Sequence, residues 1–186
     1  RSGGGVTGTL RRWPANRSAV YHAGCRSIDG ILALHRQKIM ISVFESHVPV
    51  LGPGTYVHPS ADVLGHVQLG AGCWIGPGAR IRGDYGRIII GDHTAIEDNC
   101  VVHARPGEQT TIGQWVTLGH ACIVHTATVG DWAVIGMGAI VSDWASVGEW
   151  SIVAEGAVVR QRQVIAPHRI AVGTPAKLLA KTLSDE

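Results

Sequence analysis

From Val57 onward an aliphatic residue recurs at every sixth position: Val57, Val63, Leu69, Ile75 and Ile81, then Ile90, Ile96 and Val102. The series continues through Ile112, Leu118 and Val124, and then Val129, Ile135, Val141, Val147, Val153 and Val159. The next residue is often glycine, as at Gly70, Gly76, Gly91, Gly113, Gly119, Gly130, Gly136 and Gly148. Four positions after the aliphatic stands a small or β-branched residue, among them Ala61, Cys73, Ala79, Cys100, Cys122, Thr128, Ala133 and Ala157. A helix would repeat at 3.6 residues, so this period excludes one. A six-residue unit instead forms a short strand and a corner, and three units close a triangular coil that stacks on the next. The large aliphatic fills the interior, the small residue fits beside a corner, and glycine accepts the backbone angles that corners demand. The pattern predicts an all-β solenoid, a parallel β-helix of hexapeptide repeats. Cys73, Cys100 and Cys122 fall in the small interior slot and read as core residues.

Three breaks interrupt the register. Three extra residues lie between Ile81 and Ile90, within Arg82–Arg87, and four lie between Val102 and Ile112, through Arg105-Pro106-Gly107-Glu108. One residue is missing between Val124 and Val129. A solenoid gains no stability by losing register, so clustered breaks mark a site. After Val159 the repeat decays, and Thr174-Pro175 supplies an N-cap and a first-turn proline. That predicts a short C-terminal helix, 175–183, with Leu178, Leu179 and Leu183 packed against the coil.

The repeat gives the histidines between the breaks a geometry. His103 and His125 each follow an interior aliphatic, and their hexads are three apart, which is one full coil. They should stack on one face about 4.8 Å apart, close enough for two imidazoles to share a metal. His120 belongs to another face, one position deeper into its corner. A single coil does not bring it to the other two, whereas a three-fold oligomer does. The expected assembly is therefore a homotrimer with metal sites at its subunit interfaces. The alternative for any one of these histidines is a solvated or hydrogen-bonded surface residue, and that reading is kept for His22, His35, His47, His58, His66, His93 and His168.

Composition changes the picture mainly before residue 40. Residues 1–39 carry seven Lys/Arg and only Asp29 as an acid, and they show no period. They are expected to lie outside the β-helix domain of 40–186, as a flexible or non-native extension, with an Arg-rich organelle leader as the alternative. A net charge of +2 argues against nucleic-acid binding. No run of eighteen apolar residues predicts a membrane span. Four cysteines without a C-x-x-C pair suit a reduced, cytoplasmic setting. Trp115, Trp132 and Trp150 each sit three after their aliphatic, one coil apart, and should form an outward ladder at one corner. The ladder is either packed surface, under the C-terminal helix, or a docking stripe.

From Met40 to the C-terminus the sequence resembles the γ-class carbonic anhydrase-like family. The resemblance rests on Tyr56-Val57-His58-Pro59-Ser60, Ile81-Arg82-Gly83-Asp84, Asp98-Asn99-Cys100-Val101-Val102-His103, Leu118-Gly119-His120, Val124-His125 and Val172-Gly173-Thr174-Pro175-Ala176. It implies a left-handed coil, and Zn2+ (or Fe2+ or Co2+) held by His103, His120 and His125 across a trimer interface. It also implies that Arg82 and Asp84 form an ion pair across the subunit boundary. Glu97 aligns with the family's glutamine beside the metal, where it would orient or deprotonate a water. The prototype differs at three places: Tyr85 stands where it has a glutamate, Ala95 where it has an asparagine, and the short loop at Glu108 replaces its long acidic one. Ile81–Arg87 is most similar to the phenylacetate-degradation and carnitine-operon branch. The implied reaction is attack of metal-bound hydroxide on CO2 to give bicarbonate, with catalytic roles for Glu97, Arg82 and Asp84. Three alternatives stand beside it: acyl-CoA thioester hydrolysis by the same metal site, a non-catalytic zinc-stabilised trimeric scaffold, and hexapeptide acyl transfer.

Overall fold

The hexad aliphatics turn inward along the whole coil. Val63, Ile75, Ile81, Ile96, Val102, Leu118, Val124, Ile135, Val141, Val153 and Val159 are all fully buried. The computed structural model describes residues 40–183, so the expectation for residues 1–39 lies outside the described residues. The chain winds as a left-handed parallel β-solenoid of about seven turns. One face stacks seven parallel strands in sequence order: Tyr56–Val57, Trp74–Ile75, Ala95–Ile96, Thr117–Leu118, Val134–Ile135, Ile152–Val153 and Arg169–Val172. The other two faces join into one 12-stranded sheet, because Asp62–Leu69 and Arg80–Ile90 each run unbroken around the corner between them.

Arg80–Ile90 is where the first register break resides. It pairs with Asp62–Leu69 at Gly65↔Gly83 and again at Val67↔Ile88, so one residue on the older strand opposes four on the newer. Asp84, Tyr85, Gly86 and Arg87 therefore bow outward at the corner while the strand itself continues. Gly83 and Gly86 permit the bow. A Cβ on Gly83 would stand 2.6 Å from the His66 backbone, and one on Gly86 would stand 2.5 Å from the carbonyl oxygens of Arg105 and Glu108. The missing residue before Val129 has a second effect. Ala127 fills the small slot and is 2% exposed, whereas Thr128, which the repeat assigned there, points outward.

The C-terminal helix does not form. Lys177–Thr182 is a strand, antiparallel to Arg169–Val172. Thr174 does not cap a helix; its hydroxyl donates to the Gly156 carbonyl (3.2 Å), and the Ala176 amide donates to Val158 (2.8 Å). The physical reason is the bare edge left by the last rung. An isolated helix under about 12 residues is marginal in water, while an unpaired edge strand offers partners for every other backbone group. Leu178 and Leu179 are accordingly 42% and 41% exposed and do not pack under the coil. Among the described residues no helix is long and apolar enough to cross a membrane.

The tryptophan ladder is present. Trp115, Trp132 and Trp150 adopt φ of 57°, 61° and 55°, and their rings stack at 5.0 Å with interplanar angles of 1° and 7°. His93, at φ 56°, extends the column at 4.3 Å from Trp115. Left-handed backbone is costly for a large side chain, and ring stacking between rungs offsets part of that cost. With no helix above them among the described residues, all three indoles remain partly exposed.

Candidate metal centre

His103 ends strand Val101–His103 and His125 ends strand Ile123–His125, and the two are direct partners in the parallel ladder. The rung-on-rung alignment expected from the six-residue period is therefore observed, with ring centroids 5.2 Å apart and the rings tilted by 48°. His103 Nδ1 faces His125 Nε2 at 3.2 Å. The two outer nitrogens each meet a carboxylate: His103 Nε2 lies 2.9 Å from Asp84 Oδ1, and His125 Nδ1 lies 2.5 Å from Asp143 Oδ1. Each carboxylate is held in turn by an arginine. Arg82 Nη2 donates to Asp84 Oδ2 (2.6 Å), and Arg105 Nη1 donates to Asp143 Oδ2 (2.8 Å). The Arg82–Asp84 ion pair thus closes within one chain, where the family resemblance implied a pair across a subunit boundary.

An ionised carboxylate only accepts hydrogen bonds, so each outer nitrogen must carry the proton of its ring. In the neutral imidazoles the inner nitrogens then present lone pairs to one another at 3.2 Å. Such an arrangement is unfavourable unless an electrophile lies between them. Two nitrogens bound tetrahedrally to one zinc ion by bonds of about 2.0–2.1 Å stand about 3.3 Å apart. The donor set and its spacing fit a divalent cation.

The charges support this state. Burial pushes the Asp84 carboxyl up, but hydrogen bonds from Arg82 and then His103 outweigh it and hold it below the ordinary carboxylate range. Asp143 follows the same logic, with His125 and Arg105 outweighing burial. Burial lowers His103 below the ordinary histidine value, more than neighbouring Asp84 raises it, which favours the neutral ligand form. Tyr85, 59% exposed, stands over His103 with its ring centroid at 6.0 Å.

Within one chain His120 is elsewhere. It follows strand Thr117–Leu118 on the seven-rung face, is exposed, and accepts from the Asp98 amide at 3.3 Å. Ligand atoms of Glu97, Asp98 and His120 lie within 4.8 Å of one another. The chain therefore gathers Arg82, Asp84, His103 and His125 at one corner, and Glu97 with His120 at another. Beside the first corner is a cavity of about 510 Å3, lined by His47, His66, Asp84, Tyr85, Arg87 and Glu108 among others. The His47 and His66 rings stack there at 4.4 Å.

No family model matches the sequence. The carnitine operon protein CaiE of Citrobacter koseri is 39% identical over 143 residues, covering 77% of this chain and 73% of that protein. The chain belongs to the hexapeptide-repeat, γ-carbonic anhydrase-like family, in its carnitine-operon branch. The CaiE protein of Shigella dysenteriae is 42% identical over 87 residues, 47% of this chain and 44% of that relative. Among solved structures, a hexapeptide transferase family protein from Anaplasma phagocytophilum superposes with a TM-score of 0.75 at 33% identity, covering 79% of this chain and 86% of that one.

Asp143 and Arg105 are the members of this chain's candidate site that the motif reading missed. Asp143 lies two residues past Val141, whose strand pairs directly with that of Val124. Rung arithmetic of the kind that paired His103 with His125 sets Ser142 level with His125, and Asp143 reaches the ring from one position further into the corner.

Proposed function

We propose that this protein is a metal-dependent, γ-carbonic anhydrase-like enzyme that hydrates CO2 to bicarbonate. The observation carrying the reading is the pair of inward nitrogens, His103 Nδ1 and His125 Nε2, 3.2 Å apart, with both outer nitrogens within hydrogen-bond distance of carboxylates. His103 and His125 of one subunit with His120 of a neighbouring subunit would hold Zn2+, or Fe2+ or Co2+ in its place, in a homotrimer. The exposure of His120 and its position on another face support that division. A divalent cation in such a site acidifies water and so supplies a nucleophile at neutral pH.

The chain's own residues do the rest. Asp84 and Asp143 fix the two imidazoles and raise their basicity. Arg82 neutralises Asp84 and, at 42% side-chain exposure, offers charge to an anionic product. Glu97, on the His120 side, would orient the attacking water or take its proton once the neighbouring subunit brings that side to the pair.

A second reading is favoured by the cavity. About 510 Å3 of open groove beside Asp84 and Tyr85 is more room than CO2 needs and leaves space for a larger substrate, such as the acyl end of a CoA thioester. Hydrolysis of that thioester would use the same metal centre, and the likeness to a hexapeptide transferase extends the range to acyl transfer.

Anaerobic purification, metal analysis, and CO2 and acyl-CoA assays on one sample test both readings. The expected result is about one cation per chain, with CO2 hydration abolished in His125→Ala. Bound cation with free CoA released and no CO2 hydration would move the assignment to the thioesterase. Bound cation with neither activity would leave a zinc-stabilised scaffold.

A further inference from the structure

We propose that Asp143 and Arg105 form a brace that keeps the proton of His125 on Nδ1 and so presents Nε2 to the cation. The inference rests on the reading of His125 as a ligand and assigns a positioning role to two residues outside the ligand set. Asp143 Oδ1 lies 2.5 Å from His125 Nδ1, and its other oxygen accepts from Arg105 Nη1 at 2.8 Å. With both oxygens engaged, the carboxylate cannot turn away and release the ring.

Arg105 is itself pinned from several rungs. Its backbone amide donates to Thr126 Oγ1 (2.9 Å), in the residue that follows His125. Its guanidinium lies 5.3 Å over the Trp144 ring, and Arg162 lies 4.5 Å over the same ring. Trp144 follows Asp143 directly, at φ 57°, and its amide donates to the Thr126 carbonyl. The brace therefore crosses four successive rungs at one corner, through Arg105, His125–Thr126, Asp143–Trp144 and Arg162. Cation–π contacts of this kind add modestly at exposed sites, so their effect is to fix geometry. The short loop after His103, which breaks the repeat, delivers Arg105 to this position. On the other ring Arg82–Asp84 plays the matching part toward His103 Nε2.

The test uses the full chain and two readouts. In 15N-labelled, metal-free protein at neutral pH, long-range 15N–1H correlation spectra report the tautomer of His125. Wild type is expected to show the proton on Nδ1, and Asp143→Ala a mixture of tautomers. Zinc affinity, measured by chelator competition, is expected to weaken by about 10–100-fold in Asp143→Ala, and less in Arg105→Gln. Should Asp143→Ala fail to fold, Asp143→Asn keeps the shape and carries both measurements. A wild-type His125 protonated on Nε2, or a tautomer and zinc affinity that Asp143→Ala leaves unchanged, would overturn the brace. A wild type that takes up no zinc counts against the metal centre itself, and the tautomer comparison then upholds or overturns the brace by itself.

Discussion

Asp84 accepts from two donors at once, the permanent cation of Arg82 and the N–H of a neutral His103, and its titration should register in folding. Its carboxyl and that of Asp143 are held below the ordinary range in the folded chain. Their contribution to stability is then complete above a pH of about 4, the unfolded value, and is lost as pH falls through the depressed folded value. His103 has the same sign. Its folded value is lowered, so its contribution is present above about pH 6.5 and declines as the unfolded chain takes up the proton first. Urea midpoints of the metal-free protein should fall as pH drops from 7 toward 5, and fall again below 4. In Asp84→Asn the lower step should shrink. A profile flat from pH 7 to 5 would remove the case for a neutral, buried His103.

At the scale of the strand, the bow at Asp84–Arg87 depends on two residues without a Cβ. Gly86→Ala would place a methyl group 2.5 Å from two backbone carbonyl oxygens, which no rotamer can relieve. A destabilisation of about 1–3 kcal/mol is expected from overpacking, read as a lower denaturant midpoint, together with weaker cation binding as Asp84 shifts. Gly107→Ala, with open space around its Cβ, should cost less despite a φ of 74°. Equal losses in the two variants would show that the bow is not what Gly86 supports. These elements also separate what was legible from what was not. The interior aliphatics could be read by counting, because a solenoid turns long-range contacts into a local period. Thr128 was misplaced because one missing residue shifts every outward and inward position after it until the corner absorbs the change. The final strand was misread because Thr174-Pro175 is a local helix signal, while the bare edge at Arg169–Val172 is a property of the folded coil and leaves no local trace. Asp143 went unseen because a carboxylate has no motif until the rung stacking places it against a ring.

For the whole molecule, the division of the histidines is the central fact. In the proposed centre, a chain that keeps His120 away from His103 and His125 would leave a cation two ligands short of a closed tetrahedral set, with one position reserved for water. A neighbouring subunit that supplied the third ligand would couple assembly to cation binding by mass action. Wild type is expected to sediment as a trimer, and His120→Ala to shift toward monomer while losing most of its zinc. A His120→Ala variant that stays trimeric with full zinc would show that His120 is not the third ligand.

The indole column has a consequence of another kind. Three near-parallel chromophores 5.0 Å apart are close enough to share an excited state, and each belongs to a different rung. The shift that such stacking imposes on their ultraviolet absorption would vanish as soon as adjacent rungs lose register, even if each kept its strand. The corner thus carries an optical gauge of coil order, able to tell whether the solenoid melts at once or unzips from one end.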